Sequence, residues 1–161
     1  MTDNTRLREI VKETRFSREQ ITANVRQIHG SVLAESHYLD TPNFTTFHPD
    51  DLKRLFEQYD HLFFGSLCRK LLGQTELCFR ISRRITRAGG KTTCFVHQNR
   101  PKDVFYEIAV SSTLLFQTFH DVERSVTVTG IECRNRLKAL QRIFEHELIY
   151  LIELLLWGDW I

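Results

Sequence analysis

From Arg6 to Ala34 apolar residues recur at helical spacing. Ile10, Val11, Ile21, Val25, Ile28, Val32 and Leu33 are separated by charged and polar positions, which predicts one or two amphipathic helices. The next stretch, Ser36 to Thr46, gathers Ser, Asp, Thr, Pro and Asn. Pro42 disfavours a helical conformation at Thr41, so this stretch reads as an ordered loop. His48-Pro49-Asp50-Asp51 then places a proline and two acids where a helix starts, ahead of Leu52, Leu55, Phe56, Tyr59, Leu62 and Phe63 on one face. That is a helix signal, with Gly65 as its interruption or end.

The period changes to two at Glu76. Leu77, Phe79 and Ile81 alternate with Cys78, Arg80 and Ser82, the pattern of a half-buried strand that sends Arg80, and Arg84 beyond it, to solvent together with Ser82. Gly89-Gly90 reads as a hairpin turn. Thr92 to Val96 and Val104 to Val110 read as two more strands, giving a three-stranded meander, with Leu114 to Phe119 as a short helix after Ser111-Ser112. Val126 to Thr129 is a short edge strand in this reading. After Gly130, the stripe Leu137, Leu140, Phe144, Leu148, Leu151, Leu155 marks a long helix. Helices, then clustered strands, then a long helix form the α+β pattern, in which helices cover one face of a small sheet of three or four strands.

With 161 residues, 42% of them hydrophobic and 26% charged, the chain is sized for one compact unit. Within it, residues 1–46 form a helical region with its loop and residues 47–161 the main body. A net charge of +2 does not by itself require a nucleic-acid partner. Residues 1–15 lack the apolar centre of an export signal. Leu148 to Trp157 is much shorter than the roughly 20 residues of a membrane span. The expected setting is therefore intracellular and cytoplasmic, without a membrane partner. Cys68, Cys78, Cys94 and Cys133 form no C-x-x-C pair, so they are expected as reduced, mostly buried thiols.

Candidate chemistry sits on the last helix, where His146-Glu147-Leu148-Ile149-Tyr150 follows the H-E-x-x-H zinc-peptidase pattern with tyrosine in place of the second histidine. Residues four apart share a helical face, so two imidazoles can grip one Zn²⁺ while the neighbouring Glu activates a bound water. His146 and Glu147 retain two of those roles. Tyr150 would have to lose a proton with a reference pKa near 10, about three units above neutral pH, and phenolate is not among the usual zinc donors. Glu153, two turns from His146, is the other weak oxygen donor on that side. A histidine among leucines is otherwise a common core residue hydrogen-bonded to a neighbour.

The surrounding sequence adds weight. Ser36-His37-Tyr38-Leu39-Asp40-Thr41-Pro42-Asn43-Phe44, Phe63-Phe64-Gly65, Thr86-Arg87-Ala88-Gly89-Gly90-Lys91-Thr92-Thr93, Tyr106-Glu107-Ile108-Ala109-Val110-Ser111 and the run from Gly130-Ile131-Glu132-Cys133-Arg134 to Phe144-Glu145-His146-Glu147-Leu148-Ile149 resemble the bacterial SprT-like family along most of the chain. The resemblance implies a zincin-like fold in which a small sheet packs on the motif helix, with residues 47–161 as the metallopeptidase-type domain. It implies a Zn cofactor, with His146 as ligand and Glu147 as general base, and a peptidase activity linked in some relatives to proteins crosslinked to DNA. Two departures count against activity. Tyr150 stands where the second zinc histidine belongs, and no histidine follows His146, whereas the family carries a further ligating histidine past the motif helix. A natural end at Trp157, Trp160 and Ile161 is unexpected for such apolar groups, which suggests a chain cut short. Zinc is expected to bind weakly or not at all. The six histidines upstream of His146 have no motif that brings them to it.

Arg80 to Lys102 holds Arg80, Arg83, Arg84, Arg87, Lys91, Arg100 and Lys102 without an Asp or Glu. This basic stretch is a candidate phosphate-contacting surface, with Phe79, Phe95 and Phe105 read as core residues rather than stacking platforms. Gly89-Gly90-Lys91-Thr92 is not a phosphate-binding loop, because Ile85 stands where that motif needs its first glycine. Ser111, Ser112 and the cysteines lack an activating base in any motif. Three classes remain: a zinc peptidase with unusual ligands, a peptidase fold that binds DNA or protein without catalysis, and a chain whose continuation would complete the site. On the second reading, the apolar end of the last helix is an association surface for a partner or a second copy.

Overall fold

The computed structural model describes residues 2–121 and 124–158, without the side chains of Pro101 and Lys102. Two helices open the chain. The first, α1 (Asp3–Glu13), is capped by the Thr2 side chain on the Thr5 amide. The second, α2 (Arg18–Glu35), is set by a reciprocal capping box between Ser17 and Gln20. In α3 (Pro49–Phe64) the His48 ring accepts from the Asp50 amide, the buried Asp51 carboxylate accepts from the His48 amide, and Gly65 ends the helix at φ 58°. A short α4 (Leu67–Leu72), which the hydrophobic pattern does not announce, follows because the buried Asp60 carboxylate accepts from the Cys68 and Arg69 amides.

The strands are β1 (Leu77–Ser82), β2 (Gly90–His97) and β3 (Arg100–Ser111), followed by α5 (Ser112–Thr118), β4 (Val126–Val128), β5 (Ile131–Cys133) and α6 (Arg136–Trp157). Their arrangement corrects the meander. The order is β1-β3-β2, with β1 parallel to β3 and β2 antiparallel to it. Since β3 lies between them, β1 and β2 are not joined by a tight turn, and the link from β1 to β2 crosses to the opposite edge. The hairpin lies between β2 and β3 instead, at residues 98–99. Gly89-Gly90 is therefore not a turn, and neither glycine has a positive φ. Gly90 is required by space: a Cβ there would lie 2.8 Å from the Ala109 carbonyl oxygen and 2.9 Å from Glu147 Cγ. Two further expectations change. Val126–Val128 pairs only with Ile131–Cys133, in a separate hairpin turned by Thr129 and Gly130 at positive φ, and is not an edge of the main sheet. Ser82 is buried rather than solvated, its hydroxyl accepting from the Arg84 and Ile85 amides.

The inner face of the sheet packs on α3 and α6. Phe79 meets Phe56 of α3 and Phe144 of α6, at ring-centre separations of 6.0 and 6.4 Å. Leu137, Leu140, Phe144, Leu148 and Leu151 of α6 are buried, each stabilising the fold by about 1.5–3 kcal/mol relative to exposure. Leu7, Ile28 and Val32 join the same cluster, so the N-terminal helices and the main body share one core. The Ser36 to Thr46 loop is ordered as expected and fixes the start of α6: the Pro42 carbonyl accepts from the Leu137 amide, Asn43 Oδ1 from the Arg136 amide, and the Arg136 guanidinium donates to the Asn43, Phe44 and Phe119 carbonyls. All four cysteines are free; Cys68 and Cys133 are buried, while Cys78 and Cys94 are half-buried. No helix among the described residues is long and apolar enough to cross a membrane.

Candidate functional site

Where α6 passes β2, an open cleft of about 520 Å³ forms. One wall is α6, through Ile143, His146, Glu147 and Tyr150. A second is the strand segment from Ala88 to Thr92, and Val128 and Thr129 of the small hairpin form the third. The four helical residues sit at i, i+3, i+4 and i+7, the spacing of a single face. The helix motif and the Gly89-Gly90-Lys91-Thr92 segment, far apart in sequence, thus share one cleft.

Glu147 is 4% exposed. Thr92 Oγ1 lies 2.9 Å from both the Glu147 carbonyl oxygen and Glu147 Oε1 and donates to them, tying the strand to the helix at the motif. Burial pushes the Glu147 carboxyl above the ordinary carboxylate range, while the Thr92 hydrogen bond and the nearby His146 draw it down. Gly90 lets the strand approach this closely. Neither Thr92 nor Gly90 was identified from sequence as a site residue; the glycine was legible as special, but for a turn.

His146 is exposed, and Tyr150 is 46% exposed beside it. Their ring centres are 4.9 Å apart, edge to face. The phenol thus occupies the position beside the imidazole that a partner ligand would need. Glu153 does not line the main cleft. It borders a smaller hollow with Tyr150, Thr92, Leu154 and Trp157, and an apolar groove on the other side of α6. Among the described residues no three or more His, Cys, Asp or Glu side chains are placed to hold a metal ion. A catalytic zinc takes three protein ligands and a water, and the donor set here, one imidazole beside a phenol, does not fit that requirement.

Of the basic candidates, Arg80 is on the sheet and pairs with Glu107 at 3.0 Å. Arg83, Arg84 and Arg87 lie on the crossing segment after β1 and Lys91 on β2, all exposed. The Lys102 side chain lies outside the described residues. The aromatic expectation is half corrected. Phe79 packs against the core, but Phe95 is 38% exposed and Phe105 half-buried, because both stand on the sheet face turned away from α3 and α6.

The apolar groove is about 390 Å³, lined by α1, α2, α3 and α6, with Val11, Ile21, Ile149 and Trp157 exposed along it. Trp160 and Ile161 lie outside the described residues. Comparison with family models, with curated proteins and with solved structures gives no match.

Proposed function

We propose that this chain is a zincin-like, SprT-like peptidase scaffold whose metal centre is disabled at Tyr150. The observation that carries the reading is Glu147, a carboxylate buried in the wall of an open cleft, held by Thr92 and flanked by His146 one residue before it. A buried acid anchored from a neighbouring strand, in the wall of a cleft and beside an exposed imidazole, suits a general base better than a core residue. The spacing of His146 and Tyr150 supports the second half of the reading, since the phenol stands on the face where a second imidazole would complete a metal pair. The family role, zinc-dependent proteolysis of proteins including DNA-associated ones, belongs to relatives with intact ligands.

The test is the zinc content of the purified chain by elemental analysis, beside Tyr150→His and His146→Ala. We expect little metal in the unaltered chain and a gain in Tyr150→His that is lost again in the Tyr150→His, His146→Ala double variant. Stoichiometric zinc in the unaltered chain, abolished by His146→Ala alone, would overturn the disabled centre and restore a peptidase with unusual ligands. No metal in either would overturn the claim that one residue is responsible.

A second reading, a nucleic-acid-binding module on the same fold, is favoured by the exposure of Arg83, Arg84, Arg87 and Lys91 on neighbouring segments.

A further inference from the structure

The far side of the sheet from α6 carries an organised surface. Residues in direct register share a face, so the pairs Arg80↔Ala109, Lys91↔Ala109, Thr93↔Glu107 and Phe95↔Phe105 put Arg80, Lys91, Phe95, Phe105 and Glu107 together. Phe79, Gly90 and Thr92, which meet α3 and α6, point the other way. Phe95 and Phe105 stack with ring centres 4.9 Å apart and planes 15° from parallel, and the exposed His97 ring lies 5.3 Å from Phe105. The crossing segment is tied to the end of β3 and the start of α5: Ser111 Oγ donates to the Ile85 carbonyl and Thr113 Oγ1 to that of Arg83. This holds three arginines at the end of the face opposite the aromatic stack. Lys91 and Phe95 are roughly 13 Å apart along β2, at about 3.3 Å per residue.

The charge is divided along the face. Glu107 pairs with Arg80 and Asp103 with Arg100, while the exposed Glu76, just before β1, borders a hollow with Asp103, His97 and Phe105 at the aromatic end. None of the ion pairs among the described residues uses Arg83, Arg84, Arg87 or Lys91. Cations at one end of the face and an exposed ring about 13 Å along it fit a polymer that offers both phosphates and flat π faces. A duplex hides its base faces, whereas a single strand presents them.

We propose that this open face binds single-stranded nucleic acid, with phosphates on Arg83, Arg84, Arg87 and Lys91 and a base stacked against Phe95. The proposal rests on the second reading above and not on the chemistry of the cleft, which Lys91 also borders.

The experiment is a fluorescence-anisotropy titration of the whole chain against a labelled mixed-sequence single strand and the duplex of the same sequence, over a range of salt. The single strand is expected to bind tighter by roughly tenfold. Phe95→Ala should lose roughly tenfold in single-strand affinity with the salt slope unchanged, and Phe95→Tyr should restore it. Arg84→Ala should lower the salt slope by about one. Equal binding of both forms, with Phe95→Ala neutral, would overturn the stacking inference and leave a purely electrostatic surface. Failure to bind either form at low salt would overturn the nucleic-acid reading altogether. Polyglutamate competing as well as the single strand would identify a general polyanion surface and also overturn the proposal. The Phe95→Tyr and Arg84→Ala arms keep the test decisive should Phe95→Ala fail to fold.

Discussion

The two faces of the three-stranded sheet are written in the same alternating code, yet one is packed and the other is open around Phe95 and Phe105. On the inner face Phe79, Tyr106, Ile108 and Val110 meet α3 and α6, and Gly90 gives way so that Glu147 can come within contact. On the outer face Phe95 and Phe105, equally apolar, stack on each other with His97 beside Phe105, and Phe95 stays exposed. Hydrophobic alternation separates the two faces of a strand, but which face is covered depends on where the helices dock. An apolar pair left on the open side is the informative exception.

Paired substitutions break or sharpen that contrast. The largest effect is expected from Phe144→Ala, which removes a fully buried ring from the inner-face cluster and should cost about 3–5 kcal/mol in urea unfolding. Phe95→Ala on the outer face should cost about 1 kcal/mol or less, the scale of a cross-strand pair. Comparable losses would mean that the outer face is also packed.

Next is Gly90→Ala, whose added methyl meets backbone and the Glu147 stem below 3 Å. A loss of about 1–3 kcal/mol is expected from this overpacking. Its counterpart is Gly30→Ala inside α2, where nothing lies within 4 Å of the new methyl. That change should stabilise by about 0.5–1 kcal/mol, because alanine gives up less chain entropy on entering a helix. A neutral Gly90→Ala would show that the strand and α6 can move apart, and that the hold on Glu147 is loose.

The smallest effect lies away from both faces. His29 packs beside Asn135, the N-cap of α6, with a nitrogen-to-oxygen separation of 3.4 Å. Burial lowers its pKa from the ordinary 6.5, with Lys138 also opposing the charge and the Asn135 hydrogen bond favouring it. As pH falls through 6.5 the unfolded chain therefore takes up this proton first. The stability associated with neutral His29 is complete above that pH and is lost progressively between 6.5 and the depressed value. Denaturation midpoints measured across this interval should fall with pH in the unaltered chain, with a shallower slope in His29→Gln. An unchanged slope would assign the pH response to other groups.

Much of the architecture was legible. The start of α3 at His48-Pro49, its end at Gly65, the limits of β1 and the long α6 all follow from local signals whose physics is local: caps, dihedral preferences and side-chain period. Strand order was not legible. Gly-Gly serves equally for a turn or for a close approach, and only the approach of Glu147 and Ala109 to Gly90 distinguishes them. The fourth helix was missed because Asp60, which caps it, lies inside the preceding helix. In the cleft, the helix half could be read from the His146-Glu147 pair, while Thr92 carries no motif and enters through a contact 55 residues distant in sequence.

The sequence by itself determined the α+β composition and the helix that carries His146, Glu147 and Tyr150, because both depend on neighbours within a few turns. The tertiary structure alone decided that β3 lies between β1 and β2, that Thr92 holds Glu147, and that Phe95 faces solvent. Each of these is set by which distant segment arrives at a surface, and a chain's own periodicity carries no record of its partner.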